Sequence, residues 1–315
     1  MLNGIATPAR LAIAATWLWL ALWLSLGDGP PFFGYINALG FFWGLAAGIA
    51  ALDLALQRST IWAATGAAAA ALALCHGQWP VLAAADTAPS SAQPLRVVTA
   101  SFRTYNRDMA SAAQLLAGYR PDILVAQEVS DVPAFLTRLE QESGRRWQAA
   151  RRGNEIVASP WPIRDTLPNR AFLRATVATP DGPVTVWNVH AVKSYANAIA
   201  IRLQIAALTE DVAAHCGPRI VAGDFNATPW NDSYRTLSER LTDAFRVAGS
   251  GPGFTFPTRA RRIGFAFPYL RIDHIFVDAM LQPVAAWTGD ASPGADHRPV
   301  IADLVRSPNL RQAAR

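Results

Sequence analysis

Charge divides this chain into two blocks of different composition. Of 28 Lys+Arg and 23 Asp+Glu in 315 residues, only Arg10, Arg58, Asp28, Asp53 and Asp86 lie before residue 95. That leaves 26 basic against 20 acidic residues in the remainder. A first block almost free of charge must be covered by lipid or by protein. The second has enough polar surface and enough length to fold as a domain of its own.

Three apolar stretches occupy the first block: residues 11–26 (LAIAATWLWLALWLSL), 32–52 and 60–85. The second has the roughly 20 residues that a spanning helix needs. The first is short but strongly apolar, and the third is alanine-rich and interrupted by Pro80. Gly27-Asp28-Gly29-Pro30-Pro31 reads as a tight turn between the first two. The expectation is an anchor of about three transmembrane helices over residues 1–86, a linker at 87–94 (TAPSSAQP), a domain at 95–306 and a tail at 307–315. A cleaved signal peptide accounts only for the first stretch.

Arg10 and Arg58 flank the apolar stretches. Positive-inside logic therefore puts the N-terminus and the Arg58 loop in the cytoplasm, and everything after Asp86 on the periplasmic side of the inner membrane. Two spans instead of three would leave the domain cytoplasmic. Trp17, Trp19, Trp23 and Trp43 read as interfacial or packing residues. Cys75 and Cys216 lie in different blocks, so no disulfide framework supports the domain.

In the second block, several β-branched apolar runs end in a carboxylate. The segments are Gln127-Glu128, Gly223-Asp224-Phe225-Asn226, Arg271-Ile272-Asp273-His274 and Asp296-His297. Around them lie helical spacings at 109–119, 132–142 and 198–215, and a strand pair at 172–179 and 184–190 turning at Pro180-Asp181-Gly182-Pro183. Hairpin-like and helix-separated connections occur together, which argues for two packed sheets flanked by helices.

A carboxylate closing a buried strand is costly unless something pairs it, and a divalent cation would pair Glu128; an arginine partner is the bland alternative. Asp224 and Asn226 lie two apart, so on an extended segment both point to one side and could hold a water against a phosphate. Alone, the same residues before Pro229 are also what an Asx turn looks like. Alternation turns His274 to the opposite sheet face from Asp273, as a structural residue. There is no P-loop, no zinc-ligand spacing and no internal repeat.

The order strand–QE, the segment Gly153-Asn154-Glu155-Ile156-Val157-Ala158-Ser159, strand–NVH, strand–GDFN, strand–RIDHIF and ADHRPV resembles the endonuclease/exonuclease/phosphatase superfamily over about residues 95–305. The resemblance implies an α/β fold of the DNase-I-like kind, a four-layer α/β sandwich, here preceded by the transmembrane helices. It also implies metal-dependent phosphoester hydrolysis with Mg2+ or Mn2+. Carried over residue by residue, it implies metal ligands at Glu128 and Asp296, and catalytic roles for His190, Asp224, Asn226, Asp273 and His297. Asp224 would orient the nucleophile, Asn226 would donate to a phosphate oxygen, His190 would contact the phosphate, and Asp273 would pair with His297. Asn154 and Arg202 are weaker candidates for phosphate contacts. One position departs from the pattern: Ser101 stands where the family has asparagine after the first strand, and Asn106 could compensate if its loop folds back.

The expected function is a membrane-anchored phosphodiesterase or endonuclease. Arg259, Arg261 and Arg262 would track nucleic-acid phosphates. The alternative substrate is a phospholipid headgroup, cleaved by a lipid phosphodiesterase or phosphatase. From a different class, a non-catalytic membrane protein binding phosphorylated ligands would have only Ser101 in its favour. No protein partner is inferred.

Overall fold

The computed structural model describes residues 7–76, 93–193, 198–261, 263, 267–291 and 293–307. Residues 77–85 of the third apolar stretch, linker positions 87–92, Arg262 and residues 308–315 of the tail lie outside the described residues.

The first block folds as α1 (Pro8–Leu26), α2 (Phe33–Ala38), α3 (Gly40–Leu56) and α4 (Thr60–His76). Among the described residues, only α1 of the three expected spans is a helix long and apolar enough to cross a membrane. The second expected span breaks at Leu39, and its longer piece has 17 residues, or roughly 25 Å of helix. A Cβ on Gly40 would lie 2.3 Å from the Trp230 indole, so glycine at the start of α3 leaves room for a side chain of the second block.

The second block contains, in order, β1 (Leu95–Ser101), α5 (Met109–Gly118), β2 (Ile123–Gln127), α6 (Val132–Ser143), β3 (Gln148–Arg152), β4 (Glu155–Ser159), β5 (Ile163–Pro168), β6 (Leu173–Thr179) and β7 (Gly182–His190). It continues with α7 (Ala198–Ala214), β8 (Arg219–Asp224), α8 (Asp232–Ser238), β9 (Thr242–Asp243), α9 (Ala244–Ala248), β10 (Asp273–Val277), β11 (Leu281–Thr288) and β12 (Val300–Arg306). Local rules set the helix starts. Asp108 and Asp131 cap α5 and α6 by accepting from the N–H groups of Ser111 and Ala134, each at 3.0 Å.

Two six-stranded sheets result, in the orders β11-β12-β1-β2-β4-β3 and β5-β6-β7-β8-β10-β9. One face of each sheet builds the shared interior, with Val97, Ile123, Val125 and Val157 meeting Val184, Val186, Ile220 and Ile275. The outer face of the first sheet packs on α5 and α6 through Leu116, Phe135 and Leu139. That of the second packs on α7 and α8 through Ile201, Leu208 and Tyr234. These are the four expected layers, and the period-two alternation of the strands sorts residues between them.

Besides the two-residue β9, the strands that escape the sequence reading are β3, β5 and β11. The first two lie at sheet edges and expose most of their residues. The third carries Pro283 and a register shift. An edge strand with little buried surface has no apolar period to display.

The candidate active site

Register brings the site together. β7 and β8 run parallel with His190 opposite Asp224, and β8 and β10 run antiparallel with Asp224 opposite Asp273. His190, Asp224 and Asp273 therefore occupy one rung of three adjacent strands, on the face that lower down carries Val186, Ala222 and Ile275. Gly223, at φ 146°, makes the pairing possible, because a Cβ there would sit 1.9 Å from the Val189 carbonyl oxygen.

A polar layer closes the apolar interior beneath this rung. The Gln127 amide donates to Asn188 Oδ1 at 2.8 Å, and the Asn188 amide donates to the carbonyls of Ala126 (2.9 Å) and Ile156 (2.8 Å). All of these lie between the sheets, so the two sheets are pinned together directly under the site.

Above the layer, His297 Nδ1 lies 2.8 Å from Asp273 Oδ2, and its Nε2 lies 3.8 Å from Asp224 Oδ2 and 4.0 Å from Asp296 Oδ1. His190 Nε2 approaches the same Asp224 Oδ2 at 3.8 Å and Glu128 Oε1 at 3.5 Å. One carboxylate oxygen thus sits between two imidazoles. Burial opposes a charge on His297, but Asp273, Asp224 and Asp296 outweigh it and raise its pKa to about 10. Burial pushes Asp224 up to about 6, against the pull of His297.

The remaining predicted residues are placed as follows. Glu128 follows β2 with φ 57°, and its Oε2 accepts from the Thr104 N–H and, at 2.7 Å, from the Thr104 hydroxyl. Its carboxylate makes no ion pair with an arginine among the described residues. Asp296 is buried, and its Oδ2 is bonded to the Arg261 guanidinium. Arg261 was expected to track phosphates, yet it is committed to this carboxylate.

Asn226 has φ 47°, so the segment from Asp224 turns instead of staying extended. It meets Asp224 by that turn: its N–H donates to Asp224 Oδ1 at 2.8 Å. Its amide donates to the Ala191 carbonyl at 2.8 Å and lies 3.4 Å from Asp224 Oδ2. Ser101 is buried at the end of β1, opposite Gln127. Asn106 makes no hydrogen bond to the site carboxylates among the described residues: its amide donates to the Pro293 carbonyl and accepts from the Asp108 N–H, each at 3.0 Å.

Asn154 lies beside Glu128 through its carbonyl, which accepts from the Val129 N–H at 2.9 Å. Arg202 is exposed on α7, in a groove lined by Asp28 and Asp232, and makes no bond to the site carboxylates among the described residues.

His274 is fully buried behind the site, with Nε2 2.8 Å from the Ala227 carbonyl oxygen and Nδ1 3.2 Å from Arg271. Arg271 pairs with Asp243, whose carboxyl also accepts from the Tyr234 hydroxyl at 2.6 Å. Burial raises the Asp243 pKa, but the Arg271 guanidinium and His274 outweigh it and hold the carboxyl well below the usual range. Thr104, Asn188, Asp243 and Phe256, whose ring centre lies 4.7 Å from that of His297, are parts of the site environment without a local signal. Only Asn188, in the NVH segment, stood inside a recognised motif.

The ligand atoms of Asp224, Asp273 and His297 lie within 4.8 Å of one another. Asp273 Oδ1 is buried with no hydrogen-bond partner among the described residues. Hard carboxylate oxygens with one orphaned among them fit a divalent cation. His297 fits less well as a ligand, because a protonated imidazole donates at both nitrogens.

The sequence profile described as "Endonuclease/Exonuclease/phosphatase family" matches residues 90–297, more than half of the chain. Among solved structures, an endonuclease/exonuclease/phosphatase from Bacteroides vulgatus is 18% identical, with a TM-score of 0.54 over 69% of this chain and 100% of that one. A humanized TDP2 from D. rerio is 14% identical, with a TM-score of 0.55 over 68% and 100%. A mannosyl-6-phosphatase from Bacteroides thetaiotaomicron is 17% identical, with a TM-score of 0.53 over 67% and 99%. No curated protein matches the chain in sequence. The chain belongs to the endonuclease/exonuclease/phosphatase family, whose members are phosphoester hydrolases that typically use divalent metal ions.

Proposed function

We propose that this protein is a metal-dependent phosphodiesterase of the nuclease kind, tethered to the inner membrane with its catalytic layers on the periplasmic side. The observation that carries the reading is the position of Asp224 between His190 and His297, with His297 held charged by Asp273.

At neutral pH Asp224 is ionised, since its pKa is about 6, and it can accept a hydrogen bond from an attacking water and align it in line with the scissile bond. His297, as imidazolium, donates from Nε2 to a phosphoryl oxygen as charge builds there. His190 offers a second donor on the other side. Asn226 holds Asp224 in place through its N–H. Mg2+ or Mn2+, when bound, supplies Lewis-acid neutralisation of the phosphoryl charge. Glu128 and Asp296 would hold it through the oxygens not taken by Thr104 and Arg261.

Tethering is supported by the exterior of the helices. Leu18, Leu24, Ile49, Leu52 and Ile61 are all more than 60% exposed, while Ile13, Trp23 and Leu54 fill the interior. An apolar outer surface of this extent suits lipid contact. The C-terminal end of α1 faces the catalytic layers, through the bond from the Trp23 indole to the Trp230 carbonyl. A crossing α1 therefore leaves Arg10 on the opposite side, the cytoplasmic one by positive charge.

The test is hydrolysis of a DNA duplex and of a phospholipid panel by the full-length protein in detergent, with Mg2+, Mn2+ or EDTA, and with His297→Ala in parallel. DNA cleavage abolished by EDTA and by the substitution is the expected result. Cleavage of lipid alone would replace the nuclease reading. Wild-type turnover in His297→Ala would overturn the site.

A further inference from the structure

The turn that carries Asn226 runs directly into the N-terminal helices. Trp230 is 6% exposed and sits among Trp23, Ala69 and Ala73. Its indole donates to the Ala73 carbonyl at 2.9 Å, and its own carbonyl accepts from the Trp23 indole at 2.7 Å. Asn231, fully buried, donates to both oxygens of Asp28 at 3.1 Å and to the Gly34 carbonyl at 2.9 Å. Asp28 and Asp232 each donate a backbone N–H to the other's carboxylate at 2.8 Å. The Thr228 hydroxyl donates to the Ala38 carbonyl at 3.3 Å.

A second grip lies on the other side of the site. The Phe42 ring is 6.3 Å from Phe254 and 6.3 Å from Tyr269, and Phe41 is 5.4 Å from Phe254. Phe254 and Tyr269 adjoin the bridge between Phe256 and Leu270, and Phe256 is the ring against His297.

A tether requires only a linker. Buried, mutually satisfied hydrogen bonds on the residues just after Asn226 do more than tether, because they restrict the turn to one arrangement.

We infer that the N-terminal helices are a positioning element of the hydrolytic site, clasping the Asn226 turn through Trp230 and the Phe256 wall through Phe41 and Phe42. Trp230, Asp28 and Gly40 act through Asn226 and Asp224 and touch no substrate. What the clasp positions rests on the hydrolase reading; the clasp itself does not.

The test uses full-length protein in detergent with bis(p-nitrophenyl) phosphate and Mn2+, and amide hydrogen exchange of the peptide spanning residues 222–228. Gly40→Ala is the leading variant. It favours helix intrinsically, yet its methyl would meet the indole at 2.3 Å and must displace it. A displacement of this kind should lower kcat by about 10- to 100-fold, with KM within about twofold and faster exchange across 222–228. Trp230→Ala should do the same, and Trp230→Phe, which keeps a ring in the socket, should recover most of the loss. Trp62→Ala, beside Arg10 at the far end of the helices, should change neither readout.

Unchanged kcat in folded Gly40→Ala and Trp230→Ala would overturn the inference. If the wild type hydrolyses nothing, the hydrolase reading fails separately, and exchange decides the clasp. Faster exchange in both variants upholds it, and unchanged exchange overturns it.

Discussion

Asp273→Asn removes one charge while keeping the shape of the side chain, and it isolates what holds His297 protonated. The His297 pKa is raised from 6.5 to about 10. At 1.36 kcal/mol for each tenfold change, that is on the order of 5 kcal/mol in favour of the imidazolium. Burial works against this preference, so the carboxylates supply more than the whole of it. Asp273 is the nearest, at 2.8 Å, and Asp224 and Asp296 follow at 3.8 and 4.0 Å.

Without the Asp273 charge, burial regains ground and His297 should titrate nearer neutrality. The alkaline limb of the pH–rate profile, set near pH 10 in the wild type, should move down by two or more pH units, so that kcat at pH 8 falls by at least about twofold and by about 30-fold if the pKa returns to 6.5. Stability follows the same linkage. A histidine raised on folding stabilises fully below about pH 6.5, and the contribution is lost as pH rises through about 10. The variant should therefore be destabilised most at pH 6, with the difference vanishing above pH 10. The assays are turnover of bis(p-nitrophenyl) phosphate from pH 5 to 10.5 and urea unfolding across the same range. An unmoved alkaline limb, or wild-type turnover at pH 8, would refute the reasoning.

Three further outcomes are expected. The acid limb of the wild-type profile should lie near pH 6, where Asp224 loses its proton; because Asp224 and His297 titrate as a pair, the limbs report the pair. Asn188→Ala leaves the Gln127 amide and two strand carbonyls short of partners between the sheets, and should cost about 2–4 kcal/mol by denaturant unfolding. Arg271→Ala strands the buried Asp243 carboxylate and should cost about 3–5 kcal/mol, read as a lower midpoint of thermal unfolding, whereas an unaltered midpoint would mean that Asp243 is stabilised by other groups.

Much of the site was legible because a carboxylate at the end of an apolar run is expensive, and expensive residues stand out. Glu128, Asp224 and Asp273 could be read in this way, and the order of motifs carried His190 and His297. Asn226 was assigned to the site on the assumption of an extended segment, but its φ of 47° makes the contact by a turn. Arg261 sat in a basic cluster that suggested phosphate tracking, and only its bond to Asp296 reveals its commitment. Arg202 and Asn106 had the chemistry for a phosphate site, but neither bonds to its carboxylates among the described residues. Thr104 and Asn188 are ordinary residue types whose roles come from what stands opposite them.

By itself, the sequence determined the alternating strands and most helices, because burial period and capping residues are local properties written along the chain. The tertiary structure decided which carboxylates meet, since strand register aligns His190, Asp224 and Asp273, residues far apart in sequence, on one rung. It also placed the indole of Trp230, some 190 residues later, in the space beside Gly40, next to the break in the second apolar stretch at Leu39. A hydropathy pattern describes each segment against a uniform solvent. In the fold, the surroundings of those helices include one particular side chain of the catalytic domain.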